Sequence, residues 1–407
     1  MQDPIRIAGR LIFLALSATL LPSMSFAAEH YFEHGGRFAS WFDFASYEWT
    51  EVKPNSREGW APRAGLQAVE LGRHFYIMGG RTPQVTGVPG ASQLWNDVWR
   101  SDDRGATWAQ ATADAPWPAR AYFQALDKAG RMYVLGGQNF KAGPECPPGV
   151  PSCSDFFNDV WSSRDGIDWR QETANAGWSA RAGLSAVVHQ GAIYVLGGSV
   201  NDDSAIIGGP PVRIYFNDVW KSYDGRKWKR VTEKAPWKPR AGASVVTKDG
   251  WIYLLGGEEG FICVPGGPCP PYFNDVWRSR DGARWEPVTA AAGWSARPGH
   301  QCEVLVGSIV CFGGFGLPPV GNPSDVWVSR NGKDWKRVSE SPWNATSADQ
   351  IKYDFAALPT WDWDAGPVPA IYTFGGDRET FDFTNPMNPF RVDNDVWRYS
   401  PPAKQWR

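Results

Sequence analysis

A glycine pair returns six times along this chain, about every sixty residues, and each time it ends a short apolar run such as IYVLGG or IYLLGG. The pairs are Gly79-Gly80, Gly136-Gly137, Gly197-Gly198, Gly256-Gly257, Gly313-Gly314 and Gly375-Gly376. Beyond a segment of variable length comes Asn-Asp-Val-Trp, starting at Asn96, Asn158, Asn217, Asn274 and Asn394, with Ser324 in the Asn place of the fifth unit. A turn leads to a second tryptophan at Trp108, Trp169, Trp228, Trp285, Trp335 and Trp406. A third opens the next unit at Trp60, Trp117, Trp178, Trp237, Trp294 and Trp343. These three positions hold eighteen of the 24 tryptophans. A residue so costly to expose needs a regular place of burial, so the repeat constrains the fold more than any single motif does.

Each unit reads as four short strands. In the third, RAGLSAVV, AIYVLGG, NDVWKS and KWKRV alternate apolar with polar positions between Gly and Asp-Gly turns. No helical period of any length appears. A four-stranded unit cannot bury both faces alone, whereas six units closed into a ring can, with aromatic side chains filling the wedges between them. The expectation is an all-β, six-bladed propeller of antiparallel blades. The segment SWFDFASYEWTEV, with Trp41 and Trp49, resembles a third and fourth strand, so a strand around Glu48 to Val52 is expected to close the sixth blade.

Paired glycines after a hydrophobic strand, followed by spaced aromatics, resemble the kelch-repeat family of β-propellers over about residues 38–407. The turn SDDRGATW at Ser101 to Trp108 also resembles the Asp-box of sialidase-type propellers, and SSRDGIDW, KSYDGRKW, RSRDGARW and VSRNGKDW are shortened forms of it. Both signatures are turn and packing motifs, so the resemblance implies a fold and leaves the chemistry open.

Residues 1–27 have the layout of a secretory signal peptide: Arg6 and Arg10, the apolar LIFLALSATLL, then small residues at Ser25 and Ala27. Residues 28–407 are then one propeller domain, periplasmic or secreted, with no membrane insertion once the signal is removed, and expected to be a monomer. The six cysteines form three close pairs, Cys146/Cys153, Cys263/Cys269 and Cys302/Cys311, and three local disulfides are the economical assignment. A net charge of −2 gives no footprint for nucleic acid. With five His, two of them in the N-terminal segment, and no phosphate loop or hydrolase motif, no metal or cofactor is expected.

Meander topology puts the loops between second and third strands (B–C loops) on one face, together with the start of each first strand. These loops are long in the second, third and fourth units and suit recognition. On the same face a cation recurs at Arg63, Arg120, Arg181, Arg240, Arg297 and, by alignment, Lys352. Two readings stand. The cations could ring the channel mouth and hold an anionic group, or they could pair with the recurrent Asp97, Asp159, Asp218, Asp275, Asp325 and Asp395 in a girdle tying blades together. Departures from the repeat add Tyr122, His300, Tyr353 and Asp354 as candidate site residues. Catalytic residues cannot be named. The function expected is a recognition scaffold for a protein, peptide or glycan through the B–C loop face. The alternative is a sugar-modifying enzyme, similar in plan to kelch-type sugar mutarotases, holding an acidic sugar at the cationic mouth.

Overall fold

A computed structural model describes residues 43–84, 92–142, 145, 146, 148, 152–201, 213–260, 271–316, 323–344, 351–362, 367–379 and 391–402. Six four-stranded antiparallel sheets form the blades. Blade 1 consists of strands A (Gln67–Leu71), B (His74–Met78), C (Val98–Ser101) and D (Ala109–Thr112). Blades 2 to 5 repeat this order. Blade 6 takes A, B and C from Ala356–Asp362, Val368–Asp377 and Val392–Ser400 and its fourth strand from Glu48–Lys53, paired Glu48 to Ser400 and Trp49 to Tyr399. The ring therefore closes with the expected N-terminal strand. The A strands neighbour one another around the whole circle, so they surround the channel and the D strands lie outermost.

Each letter of the Asn-Asp-Val-Trp motif has a separate physical task. Valine fills the core, with Val98, Val160, Val219, Val276, Val326 and Val396 fully buried. Asparagine reaches forward to hold the next unit: Asn158 Nδ2 donates to the Trp178 carbonyl at 2.7 Å, and Asn394 Nδ2 to that of Trp60 at 2.8 Å across the closure. In five of the six blades the C-strand indole donates to the aspartate two residues before it, as Trp161 Nε1 does to Asp159 at 2.8 Å. The Asp-box turns are hydrogen-bonded within themselves: Ser163 Oγ accepts from Gly166 N, and Trp169 Nε1 donates to the Gly166 carbonyl.

Wedges between blades are filled as the repeat demands. Trp60, Trp117, Trp178, Trp237, Trp294 and Trp343 are at most 3% exposed. The first five meet Trp108, Trp169, Trp228, Trp285 and Trp335 edge to face, at centroid distances near 6 Å. The sixth partner departs from the spacing in sequence: Trp343 meets Trp49, at 4.8 Å, because the closing strand comes from the N-terminal side. Trp406, Trp41 and the 1–27 segment lie outside the described residues. Disulfides join Cys146 to Cys153 and Cys302 to Cys311, the latter directly opposite each other on strands A and B of blade 5. Cys263 and Cys269 lie outside the described residues.

Truncating Trp178 to Ala leaves a void between two blades that neither can close. A loss of about 3–5 kcal/mol is expected, read as a lower midpoint in urea unfolding; a loss under about 1 kcal/mol would mean that the wedge does not carry the seam.

Candidate binding site at the channel mouth

All six recurrent cations are buried, at most 2% exposed, and each is committed to its own blade. Arg120 shows the pattern. Its Nη1 and Nη2 grip Asp159 Oδ1 and Oδ2 at 2.7 and 2.9 Å, Nη1 also donates to the Gly136 carbonyl, and Nε donates to the Pro118 carbonyl. The Phe157 ring covers the guanidinium at 4.2 Å. Arg63, Arg181, Arg240 and Arg297 grip Asp97, Asp218, Asp275 and Asp325 in the same bidentate way. Lys352 does the same work as a point charge, donating to Asp395 at 2.5 Å and to the Gly375 carbonyl at 3.0 Å, with Asp393 Oδ2 at 3.0 Å. Burial raises the Asp393 carboxyl, but Lys352 and Arg378 outweigh it and hold the group down at about 2.

On the girdle alternative, these ion pairs were to tie blades together, and here the structure differs. Every pair lies within one blade: the cation before strand A reaches past strand B to the aspartate before strand C at the same end of the sheet. The main chain of the same residue does the tying. Arg120 N donates to the Trp95 carbonyl of the preceding blade at 3.1 Å, and its carbonyl accepts from Gly80 N at 2.8 Å. Gly137, Gly198, Gly314 and Gly376 donate in the same way to the carbonyls of Arg181, Arg240, Lys352 and Arg63. Each side chain clasps its own blade while each backbone staples the seam.

Two residues beyond each clasp the chain turns left-handed, at Gly65, Tyr122, Gly183, Gly242, Gly299 and Asp354. Hydrogen bonds pass between these residues from blade to blade, for example Tyr122 N to the Gly65 carbonyl, Gly183 N to that of Tyr122 and Gly65 N to that of Asp354. Glycine is the residue for this backbone. Tyr122 (φ 54°) and Asp354 (φ 49°) carry side chains there regardless. Each side chain overhangs a neighbouring glycine: a Cβ on Gly65 would lie 3.1 Å from the Tyr122 ring, and one on Gly299 only 2.8 Å from Asp354 Oδ1.

Around these two residues a polar cluster gathers. Arg81, the residue after the first glycine pair, donates from Nε to Tyr122 Oη and from Nη2 to Asp377 Oδ2, both at 2.7 Å. Asp377 follows the sixth glycine pair and bridges through its backbone to Tyr353. Burial works against the charge on Arg81, and Tyr122 and Asp377 outweigh it, holding its pKa well above the ordinary value. Burial, reinforced by Asp377 and opposed by Arg81, pushes the Asp354 carboxyl up to about 7, and the same forces push Glu379 up to about 7. Burial likewise raises Tyr122 and Tyr353. The Arg81 side chain keeps 16% of its surface exposed, whereas that of Asp377 keeps 1%.

Of the residues singled out in the sequence, the structure brings Tyr122, Tyr353 and Asp354 together with Arg81, Asp377 and Glu379. His300 stays apart. It is 3% exposed against Trp294, neither ring nitrogen has a partner, and burial, then Arg297, lowers it to about 3, so it is a neutral core imidazole. Arg81, Asp377 and Glu379 were missed. The residue after each glycine pair follows no pattern (Arg81, Gln138, Ser199, Glu258, Phe315, Asp377), so no departure in the sequence marks Arg81 or Asp377. The tips of the long B–C loops lie outside the described residues, but two-stranded ribbons at their bases extend this face in blades 1, 2 and 3. No group of three or more His, Cys, Asp or Glu among the described residues is placed to hold a metal ion.

No protein-family model matches the chain. Kelch-like protein 40 of Mus musculus is 24% identical over 257 residues, covering 63% of this chain and 35% of that protein. The solved structure of YjhT superposes with a TM-score of 0.57 and 19% identity, covering 85% of this chain and 96% of that one. The chain is a β-propeller that shares its fold with YjhT and is similar in sequence to a kelch-like protein. It spans about a third of the length of the curated relative it matches.

The propeller carries another out-of-pattern carboxyl in strand A of blade 5 (His300–Leu305). Glu303 occupies the place of Val69, Leu126, Val187, Val246 and Leu358, and burial alone pushes it up to about 8. Folded Glu303 keeps its proton where the unfolded chain loses it. Stability is therefore expected to fall as pH rises from about 4.5 to about 8. Glu303→Gln should flatten that fall and raise the thermal midpoint at pH 8.5 by roughly a few degrees; an unchanged pH profile would remove Glu303 as its source. In the clasp, Arg181→Ala strands Asp218 in a buried site, and a loss of about 3–5 kcal/mol in urea unfolding is expected. Under about 1 kcal/mol would mean that the clasp is dispensable.

Proposed function

We propose that this kelch propeller is an exported recognition scaffold that binds a protein, peptide or glycan on the face bearing the B–C ribbons, with the cluster at the channel mouth as its contact point. The observation that carries this reading is the replacement of glycine by Tyr122 and Asp354 at two of six left-handed positions. Each replacement costs on the order of 1 kcal/mol of backbone strain, and neither side chain fills a core. Strain held at the mouth of a channel, beside an arginine and further carboxyls, is where a propeller would spend stability on a ligand. An N-terminal segment with signal-peptide layout and local disulfides accord with export.

Holding an acidic sugar by a cationic ring accords less well, because all six cations of that ring are buried in ion pairs. Arg81 is itself engaged by Asp377 and Tyr122. The reading is tested on glycan and peptide arrays probed with the wild type and with Asp354→Gly. Substitution should relax the left-handed backbone, keep or raise the thermal midpoint, and weaken the best array signal at least about tenfold. A destabilised variant that binds unchanged would make Asp354 a structural residue and remove the mouth from recognition.

A further inference from the structure

Within the recognition reading, on which this step rests, the chemistry of the mouth narrows the ligand. The Asp377 carboxylate is held by Arg81 and by the backbone of Glu379. The Asp354 and Glu379 carboxyls are not: neither accepts a hydrogen bond or ion pair from any described residue, although Glu379 is only 9% exposed. Buried polar groups are ordinarily partnered, so two unpartnered carboxyls, each near Asp377 and Arg81, are acceptors waiting for a donor. The charged and titratable groups facing them are Arg81 from blade 1, Tyr122 from blade 2, and Tyr353 and Asp377 from blade 6. Aromatic walls stand beside them, with Tyr122 edge to face on Phe140 and Tyr353 on Phe315.

We propose that the channel mouth binds its ligand through an organic ammonium group, with Asp354 and Glu379 as its acceptors and aromatic faces beside it. An anion would meet three carboxyls and an arginine whose Nε and Nη2 already donate to Tyr122 and Asp377. A metal ion is disfavoured because the carboxyls are not arranged to hold one. An ammonium supplies the missing donors, carries the opposite charge, and is attracted by the rings. Because both carboxyls titrate near 7, seating the cation shifts them to the charged form and expels protons. No covalent step is involved.

The test is titration calorimetry of the mature chain with two matched pairs of probes: Nα-acetyl-lysine methylamide against its norleucine analogue, and 6-amino-6-deoxyglucose against glucose. At least one ammonium probe should bind about tenfold or more tighter than its neutral partner. Its affinity should rise between pH 6 and pH 8, and buffers of different ionisation heat should reveal proton release. Which pair responds tells a basic side chain from an amino sugar. Asp354→Asn, whose side chain tolerates the left-handed backbone, and Glu379→Gln should each remove most of the ammonium preference. If neither ammonium probe binds tighter than its neutral partner, the proposal is overturned. In that case glucose or the norleucine analogue binding at the mouth would leave the recognition reading standing. An ammonium preference that survives both substitutions would also overturn it.

Discussion

Everything in this propeller hangs on a buried cation that works in two directions. Its side chain grips an aspartate and a glycine carbonyl of its own blade, and its backbone bonds to the blade before. Burying six such ion pairs is expensive unless every donor and lone pair is used. Bidentate geometry, carbonyl acceptors and the C-strand indole on the same carboxylate provide that saturation. The glycine pair follows from this arrangement. A Cβ on Gly80 would lie 3.0 Å from the Ala64 carbonyl and 3.1 Å from Arg63 Cδ, so the clasp can close only over a residue without a side chain.

Much of this was legible in the sequence, since repetition converts one local reading into six. The strands, the tryptophan wedges and the closing strand at Glu48 all follow from period-2 patterning and from the cost of exposing indole. Whether the arginines were free or paired was not legible. The two recurrent sets, Arg and Asp, are equally compatible with pairs inside a blade, pairs between blades, or a ligand ring, because sequence spacing does not say which strands adjoin at their ends. His300 misled for a related reason. Its place in the repeat belongs to core residues such as Leu66 and Phe123, and a polar residue there is buried rather than presented.

The candidate site is where the repeat rule is broken at a measurable cost. At the left-handed ring, glycine serves four times and Tyr122 and Asp354 stand in the other two places, all on the side where blades 6, 1 and 2 meet. Arg81 bonds to both Asp377 and Tyr122 on the same side, so the asymmetry is concentrated rather than scattered around the ring. A symmetric ring made of paired charges is structural, and the asymmetric arc with the unpartnered Asp354 and Glu379 carboxyls is where recognition is proposed.

Native-state hydrogen exchange in Arg181→Ala tests the clasp most directly. If the cation holds both its own blade and the seam, the amide of Gly137, which donates to the Arg181 carbonyl, and that of Gly183, which donates to Tyr122, should lose protection together, while Gly376 at the far seam keeps its own. Protection unchanged at Gly137 and Gly183 would contradict the clasp as the element on which the ring depends.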